Sequence, residues 1–343
     1  PRPPSRQPLS GPAPIPRPVQ PPHHDEKDCE LPGRTGTATP SSPVTPPLPP
    51  QGEPTPQAVR GKIVIWGVNA VVVKAIYVQI PPLVFMSVRF VIAGSLLLAI
   101  LWGTERSMHI DRKDWLLLIA AGMVGTGLYQ PLFLSGLAMT TASNTALLIA
   151  TSPAFVALLN RLTGREVLSP RGWIGIALTL AGVLLIIEGG AGFSLASQSL
   201  LGDVMILLGS FLWASYAVLA APLMARYSPL RVTALTTSIG AAPLILLGLP
   251  AVAAHDWHQV TVGGWSALLY SAVFAIVIGY IIWNNGVKKI GGARTALYNN
   301  LIPVIGAISA ALILGEALTP LKIGGAAVIF AGLHLARTAR VRV

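Results

Sequence analysis

The sequence predicts an all-α membrane protein, with ten transmembrane helices forming two inverted five-helix repeats behind a disordered Pro-rich tail. Three observations support this fold class: long apolar spans, basic residues confined to one side of them, and an internal match. Of 343 residues, 52% are hydrophobic and only 11% are charged. Soluble domains carry about 25% charged residues. Because so little charge cannot coat a water-soluble surface, most of the chain is expected to contact lipid.

Residues 1–60 differ in composition from the rest of the chain. They hold proline runs such as residues 46–50 and lack a long apolar stretch. Such a segment buries too little surface to offset its ordering entropy, so we predict a disordered tail, partly polyproline II. It is either a passive tail or a ligand for a partner module. Cys29, the single cysteine, excludes an internal disulfide framework and a CxxC site.

Apolar spans then repeat with short breaks, and each has about the 17–25 residues that cross a bilayer as a helix. The first five belong to a predicted repeat over residues 61–190 and the last five to a second over residues 201–338. They are placed at residues 62–79, 84–103, 115–137, 143–162, 171–188, 203–223, 231–252, 264–286, 292–314 and 320–336.

Basic residues between the spans predict the orientation. From Arg60 onward, sixteen basic residues lie on one side, in the loops or at the ends of the spans: Arg60, Lys62, Arg106, Arg112, Lys113, Arg161, Arg165, Arg171, Arg226, Arg231, Lys288, Lys289, Arg294, Arg337, Arg340 and Arg342. The loops of the other side hold only Lys322. Cytoplasmic loops collect Lys and Arg, so both termini are predicted in the cytoplasm of a multi-pass protein of the inner (cytoplasmic) membrane.

An internal repeat relates the two halves. Residues 142–182 align without a gap to residues 292–332, and Glu166-x-Leu168-x-Pro170 meets Glu316-x-Leu318-x-Pro320. At an offset of 147 residues, Trp66 aligns with Trp213. Because five is an odd number of helices, the second copy enters the membrane from the opposite face. Inverted repeats are typical of many secondary transporters.

Several of these motifs resemble a known family. Trp66-Gly67-x-Asn69 resembles the opening of an EamA-type repeat, Gly202-Asp203 with Trp213-Ala214-x-Tyr216 resembles a second opening, and residues 314–320 are similar to the family's end of helix nine. The resemblance covers about residues 62–338 and implies the drug/metabolite transporter superfamily: ten helices, two EamA repeats, and export or exchange of small metabolites. The first repeat departs slightly, since Gly164-Arg165-Glu166 stands where the family more often has Leu-Gly-Glu.

Two basic residues, Lys74 and Arg89, fall in the interior of the predicted spans rather than at their ends. A charge within a membrane is costly, so it is by default a functional hypothesis. One or both could bind an anionic group such as a substrate carboxylate. The alternatives are snorkelling to the outer interface or bonding to helix-end carbonyls.

A polar and aromatic set could line the same site, since ligand sites are mostly apolar with a few placed polar groups. The predicted substrate-binding residues are Asn69, Lys74, Arg89, Gln130, Trp213, Tyr216, Tyr280, Trp283, Asn284, Tyr298, Asn299 and Asn300, with Tyr129 and Asn144 as further candidates. For the amides, the alternative is bonding between helices.

Several further residues are predicted to be structural. Pro153 and Pro303 are expected to interrupt their helices and to free backbone carbonyl groups. Such a break either borders a transport site or is only a kink that helps the helices to pack. Glu316, like its counterpart Glu166, is expected to hold a turn, and Asp203 to cap a helix N-terminus.

The chain contains no phosphate loop, HExxH or GxSxG motif, so we do not expect an ATP-driven pump. We also expect no enzyme, because no cluster of His, Ser or carboxylate residues is found at one depth, and no cofactor or metal. The leading hypothesis is a secondary transporter that exports or exchanges a small metabolite, such as an amino acid, by alternating access. Alternatives are an exchanger of organic anions or phosphorylated solutes, an intramembrane enzyme, or a receptor acting through the tail. The expected partners are a small-molecule substrate and the lipid bilayer, not nucleic acid; the oligomeric state stays open.

Overall fold

The computed structural model describes residues 56–164, 166–189, 197–290, 301–338 and 340–342. Helices dominate the first half of this chain. Its elements are α1 (Pro56–Ile76), α2 (Pro82–Glu105), α3 (Trp115–Gly122), a π-helical segment (Met123–Leu128), α4 (Tyr129–Met139), α5 (Ala142–Ile149), α6 (Ser152–Leu162), β1 (Glu166–Leu168) and α7 (Pro170–Glu188). The α3, π-helical and α4 segments follow each other without a break, as one long helix.

The second half repeats this order. Its elements are α8 (Gln198–Arg226), α9 (Pro229–Ala254), α10 (Val262–Leu269), a second π-helical segment (Tyr270–Ile278), α11 (Gly279–Ile290), α12 (Leu301–Leu314), α13 (Pro320–Thr338) and β2 (Arg340–Arg342). Two short 3-10 helices, Arg112–Asp114 and Trp257–Gln259, precede α3 and α10 respectively.

Helices overlap every predicted apolar span. Within the described chain, seven continuous helical stretches are long and apolar enough to cross a membrane, and Ile302–Leu314 and Pro320–Ala336 are shorter apolar helices. The first helix begins at Pro56 rather than at residue 62, so the end of the predicted tail is helical. Most of that tail, residues 1–55, lies outside the described residues.

One feature departs from the all-helical prediction. β1 and β2 form a short antiparallel ladder in which Glu166 pairs with Arg342 and Leu168 with Arg340. Three-residue strands carry too little periodicity to be recognised in a sequence. The ladder joins the connection between α6 and α7 to the segment that follows α13.

The helices of the two halves interleave around a shared core. α2 packs against α9, α4 packs against α8, and α1 packs against α12, which in turn contacts α5. Large side chains of α2 are fully enclosed there, among them Phe85, Phe90 and Leu97. The halves therefore form one packed body rather than two neighbouring bundles.

Glycines allow α7 and α13 to approach closely. A Cβ on Gly182 would lie 2.6 Å from the carbonyl oxygen of Gly325, and one on Gly175 would lie 2.5 Å from that of Gly332. The order of these contacts makes the two helices antiparallel. Small residues permit such contact between membrane helices.

Helix interruptions occur where proline and glycine predict them. α5 ends at Ile149 and α6 begins at Ser152 with Pro153 in its first turn. Gly164 (φ +71°) and Gly315 (φ +67°) follow α6 and α12 in the left-handed region, which glycine enters without a Cβ penalty. In the first repeat this glycine stands one alignment position earlier, which accounts for its departure from the family pattern.

Ion pairs join the two halves at the end predicted to be cytoplasmic. Arg226 donates to both carboxylate oxygens of Asp114, at 2.5 and 2.7 Å. Arg231 donates to Glu105 at 2.9 Å. The connection between α2 and α3 is thereby fastened to the connection between α8 and α9.

Candidate functional site

Six aromatic side chains from both halves meet in the interior, in what we call the central aromatic cluster. Trp213 lies at its middle, with ring centroids 5.2 Å from Tyr129, 5.4 Å from Tyr280 and 5.8 Å from Trp283. Such separations are favourable for offset and edge-to-face aromatic pairs. The members of the cluster are Trp66, Tyr129, Trp213, Tyr216, Tyr280 and Trp283.

Residues at equivalent positions of the two repeats contact each other in this cluster. The rings of Trp66 and Trp213 meet edge to face with centroids 5.8 Å apart. The amide nitrogen of Gln130 donates to the hydroxyl of Tyr280 at 2.9 Å, and these two residues are 150 positions apart. The site therefore lies where the two repeats meet.

The two π-helical segments lead directly into the cluster. Tyr129 and Gln130 follow the segment Met123–Leu128, and Tyr280 follows the segment Tyr270–Ile278 by two residues. π-helical turns widen the helix locally and are frequent at functional sites. The two segments occupy corresponding places in the repeats, so each half supplies the same irregularity next to the site.

Two glycines give the aromatic rings their space. A Cβ on Gly125 would collide with the ring of Tyr216, and one on Gly279 would collide with the indole of Trp66. The Trp66 indole nitrogen also donates to the carbonyl oxygen of Ala275 at 2.8 Å. These contacts hold both rings against the π-helical segments.

Arg89 of α2 is the charged residue predicted by the sequence that lies at this site. It is 3% exposed and lies near Tyr280, Tyr77 and Tyr129. Its Nε and Nη1 atoms have no hydrogen-bond partner among the described residues. A buried polar group without a partner is costly, so these atoms require a ligand or water.

A second basic residue, Lys62 of α1, contacts the cluster from another direction. Its Nζ atom lies 4.6 Å from the ring centroid of Trp66 and 4.7 Å from that of Trp283. These are cation–π distances. The sequence predicts Lys62 at the cytoplasmic end of the first span, and in the structure the residue is 1% exposed. Its spacing of one helical turn before Trp66 was the signal that could have indicated this contact.

Other buried polar atoms of the cluster also lack partners. Among the described residues, the side-chain oxygen of Gln130 accepts no hydrogen bond, and the indole nitrogen of Trp283 donates none. Together with Arg89 they give the site two kinds of donor and one acceptor. This combination can bind a polar group that bears a negative charge.

Two of the predicted amides form hydrogen bonds between helices. Asn284 donates to the hydroxyl of Tyr216 at 3.1 Å and also to the hydroxyl of Thr233. Asn69 accepts from Ser271 at 2.7 Å. These contacts match the interhelical alternative stated for the amides. Tyr298, Asn299 and Asn300 lie outside the described residues.

Lys74 lies in a separate place, at the end of α4. Its ammonium group donates to the carbonyl oxygens of Leu137, at 3.2 Å, and Thr140. The last carbonyls of a helix lack intrahelical partners and attract cations. This arrangement is the helix-end alternative named for Lys74.

Around it lies a polar network that we call the outer network, after the side on which the sequence predicts it. Glu316 accepts from the backbone N–H groups of Ala142 and Ser143, both at 2.8 Å, and so caps α5. Lys322 donates to the Ser143 hydroxyl at 3.1 Å. The loop before α13 is thereby joined to the start of α5, and Glu316 does more than hold its own turn.

Asp203 belongs to this network and does not cap a helix. The N-cap of α8 is Ser197, whose hydroxyl accepts from the backbone N–H of Leu200. Asp203 lies within α8, 1% exposed, and accepts from the Thr140 hydroxyl at 2.5 Å and from Asn144 at 3.1 Å. The expected cap was wrong because α8 begins earlier than the apolar pattern indicates.

Comparison with known proteins agrees with the two-repeat pattern. The model of the EamA-like transporter family matches residues 61–188 and again residues 200–338. A known crystal structure resembles the chain with a TM-score of 0.60 at 20% identity, over 82% of this chain and 96% of that one. That likeness concerns the fold alone.

Among similar sequences, the uncharacterized transporter YyaM of Bacillus subtilis (strain 168) is 33% identical over 219 residues, which is 63% of this chain and 72% of the relative. A probable amino-acid metabolite efflux pump of Escherichia coli (strain K12) is 28% identical over 283 residues, covering 80% of this chain and 91% of the pump. The family model covers most of the chain in two segments. The chain therefore belongs to the EamA-like transporter family.

Proposed function

We propose that this protein is a secondary transporter that exports a small metabolite across the cytoplasmic membrane by alternating access. In this proposal ten helices form two inverted repeats, both termini are cytoplasmic, and the substrate binds at the central aromatic cluster. The observation that carries it is the meeting of equivalent residues, Trp66 with Trp213 and Gln130 with Tyr280, around buried polar atoms without partners. A site between two related halves can be opened to either side by exchanging their conformations.

The contacts between α7 and α13 support the inverted arrangement. The repeat alignment converts the pair Gly175 and Gly332 into the pair Gly325 and Gly182, which is the other close contact between the same helices. A contact set that maps onto itself in this way is expected for two copies related by a two-fold axis.

The outer network supports a specific closed state. Glu316 and Lys322 from the end of the second repeat hold the start of α5 in the first. We propose that these contacts close the site toward the outside and separate when it opens there. The efflux direction rests on relatives named probable amino-acid metabolite efflux pumps.

Counterflow in proteoliposomes tests transport. Vesicles containing the full chain are loaded with one unlabelled metabolite at a time and diluted into its labelled form. A substrate should accumulate transiently as label, and no accumulation across a broad panel of amino acids and organic acids would contradict transport.

Matched tryptophan variants test the location of the site. Trp66→Ala and Trp213→Ala should each abolish most of the counterflow, because each removes a ring from the cluster. Trp173→Ala should leave it unchanged, since Trp173 is 48% exposed on α7.

Deletion of residues 1–55 tests the role of the tail. The shortened protein should retain flux, whereas a receptor that acts through the tail would lose its function.

A further inference from the structure

We propose that the substrate is an anion, a carboxylate on an aromatic or apolar body, and that Arg89 binds its charge. This inference rests on the proposed function and names the substrate class of the same site. It goes beyond the family assignment, since the names of the relatives specify either no substrate or amino-acid metabolites.

The first argument is the state of Arg89. The residue is enclosed by apolar and aromatic neighbours, with its guanidinium 5.8 Å from the Phe85 ring and 5.7 Å from the Phe90 ring. Two of its nitrogen atoms lack partners, and no ion pair to Arg89 exists within the described chain. A guanidinium keeps its charge in proteins, so the site holds a buried positive charge that a ligand must offset.

The second argument is that no buried or half-buried carboxylate of the described chain is left to offset the charge of Arg89. The buried or half-buried carboxylates elsewhere in the described chain are already used: Glu105 and Asp114 pair with arginines, and Asp203 and Glu316 belong to the outer network. A cationic substrate would therefore meet the like charge of Arg89, whereas an anion would be stabilised by it.

The third argument is the geometry of recognition. A guanidinium binds a carboxylate through two parallel N–H donors. The indole N–H of Trp283 is a further free donor, and the Gln130 oxygen is a free acceptor for a hydroxyl or amino group on the substrate. The rings of Trp213 and Tyr280 offer an apolar surface for the remainder of the molecule.

The test uses two probes of the same shape, 3-phenylpropionate and 3-phenylpropionamide, with phenyl phosphate as a third. Binding to the purified full chain is measured by tryptophan fluorescence, because three tryptophans lie in the cluster. The acid should bind at least about tenfold more tightly than the amide, as expected for one charge-assisted hydrogen-bonded contact. Equal affinities, or no binding of the acid, would overturn the inference. Preference for phenyl phosphate over the acid would overturn the carboxylate assignment and favour a phosphorylated solute.

Variants of Arg89 identify the residue responsible. Arg89→Gln should weaken binding of the acid by about 10- to 150-fold and leave the amide unchanged, and Arg89→Lys should restore part of the loss. Arg171→Gln is the matched control, since Arg171 is exposed at the start of α7, and it should bind both probes as the unmodified protein does. Equal loss of acid and amide in Arg89→Gln would assign Arg89 a structural role.

Counterflow with the same probes separates this inference from the proposed function. Acid that is bound selectively but never accumulated would contradict transport and leave the anion site standing. Accumulation of acid and amide to the same extent would leave transport standing and contradict the anion site.

Discussion

Lys74 and Arg89 are equivalent at the level of sequence, since each is a basic residue in the interior of a predicted span. Their contacts separate them. Lys74 is half-buried and donates to the carbonyl oxygens at the end of α4, whereas Arg89 is buried with free donor atoms beside the central aromatic cluster. The binding role predicted for Lys74 stays a prediction, and its contacts favour a role in the outer network.

For Lys74→Ala we expect a loss of stability of about 1–3 kcal/mol, because the carbonyl oxygens of Leu137 and Thr140 lose a charged donor. Thermal unfolding measures this loss, with the exposed Lys113→Ala as control. Counterflow of acid and amide probes should then fall together at matched expression. A selective loss of the acid would instead assign the substrate carboxylate to Lys74.

At the scale of elements, the helix irregularities are the features closest to the site. Both π-helical segments precede cluster residues, and the break between α5 and α6 exposes hydroxyls to α8, where Ser152 and Ser210 lie 2.7 Å apart. Pro153 predicts this break from the sequence. The π-helical segments contain no proline. Gly125 lies within the first and Gly279 directly after the second, and they contact Tyr216 and Trp66.

Two adjacent glycines of α13 allow a matched test of helix packing. A Cβ on Gly325 would lie 2.7 Å from the carbonyl oxygen of Gly182, whereas one on Gly324 would have no neighbour within 4 Å. Gly325→Ala should therefore destabilise the protein by about 1–3 kcal/mol through overpacking.

Gly324→Ala should be neutral or slightly stabilising, since alanine favours a helix more than glycine does. The midpoint of thermal unfolding in detergent measures both. A midpoint for Gly325→Ala at or above that of Gly324→Ala would show that α7 and α13 do not pack as described.

For the molecule as a whole, the distribution of charge and the repeat predict how the chain crosses the membrane. Reporter fusions after residues 108, 168 and 340 should report a cytoplasmic location, and a fusion near residue 256 an external one. The reason is the bias of basic residues toward one set of loops. A cytoplasmic signal at residue 256 would contradict the ten-helix inverted arrangement.

The sequence by itself determined the helical membrane class, the two related halves and several members of the cluster, including Trp213, Tyr280 and Trp283. Hydropathy, charge distribution and internal repeats depend only on the order of the residues, so they can be recognised without the tertiary structure. The tertiary structure decided which side chains meet. It placed Trp66 in the cluster and Lys62 against it, Lys74 and Asp203 in the outer network, and Asn284 in a hydrogen-bonded pair with Tyr216. A polar side chain within a span binds whatever the neighbouring helix presents, and that neighbour is chosen by packing between residues far apart in the chain.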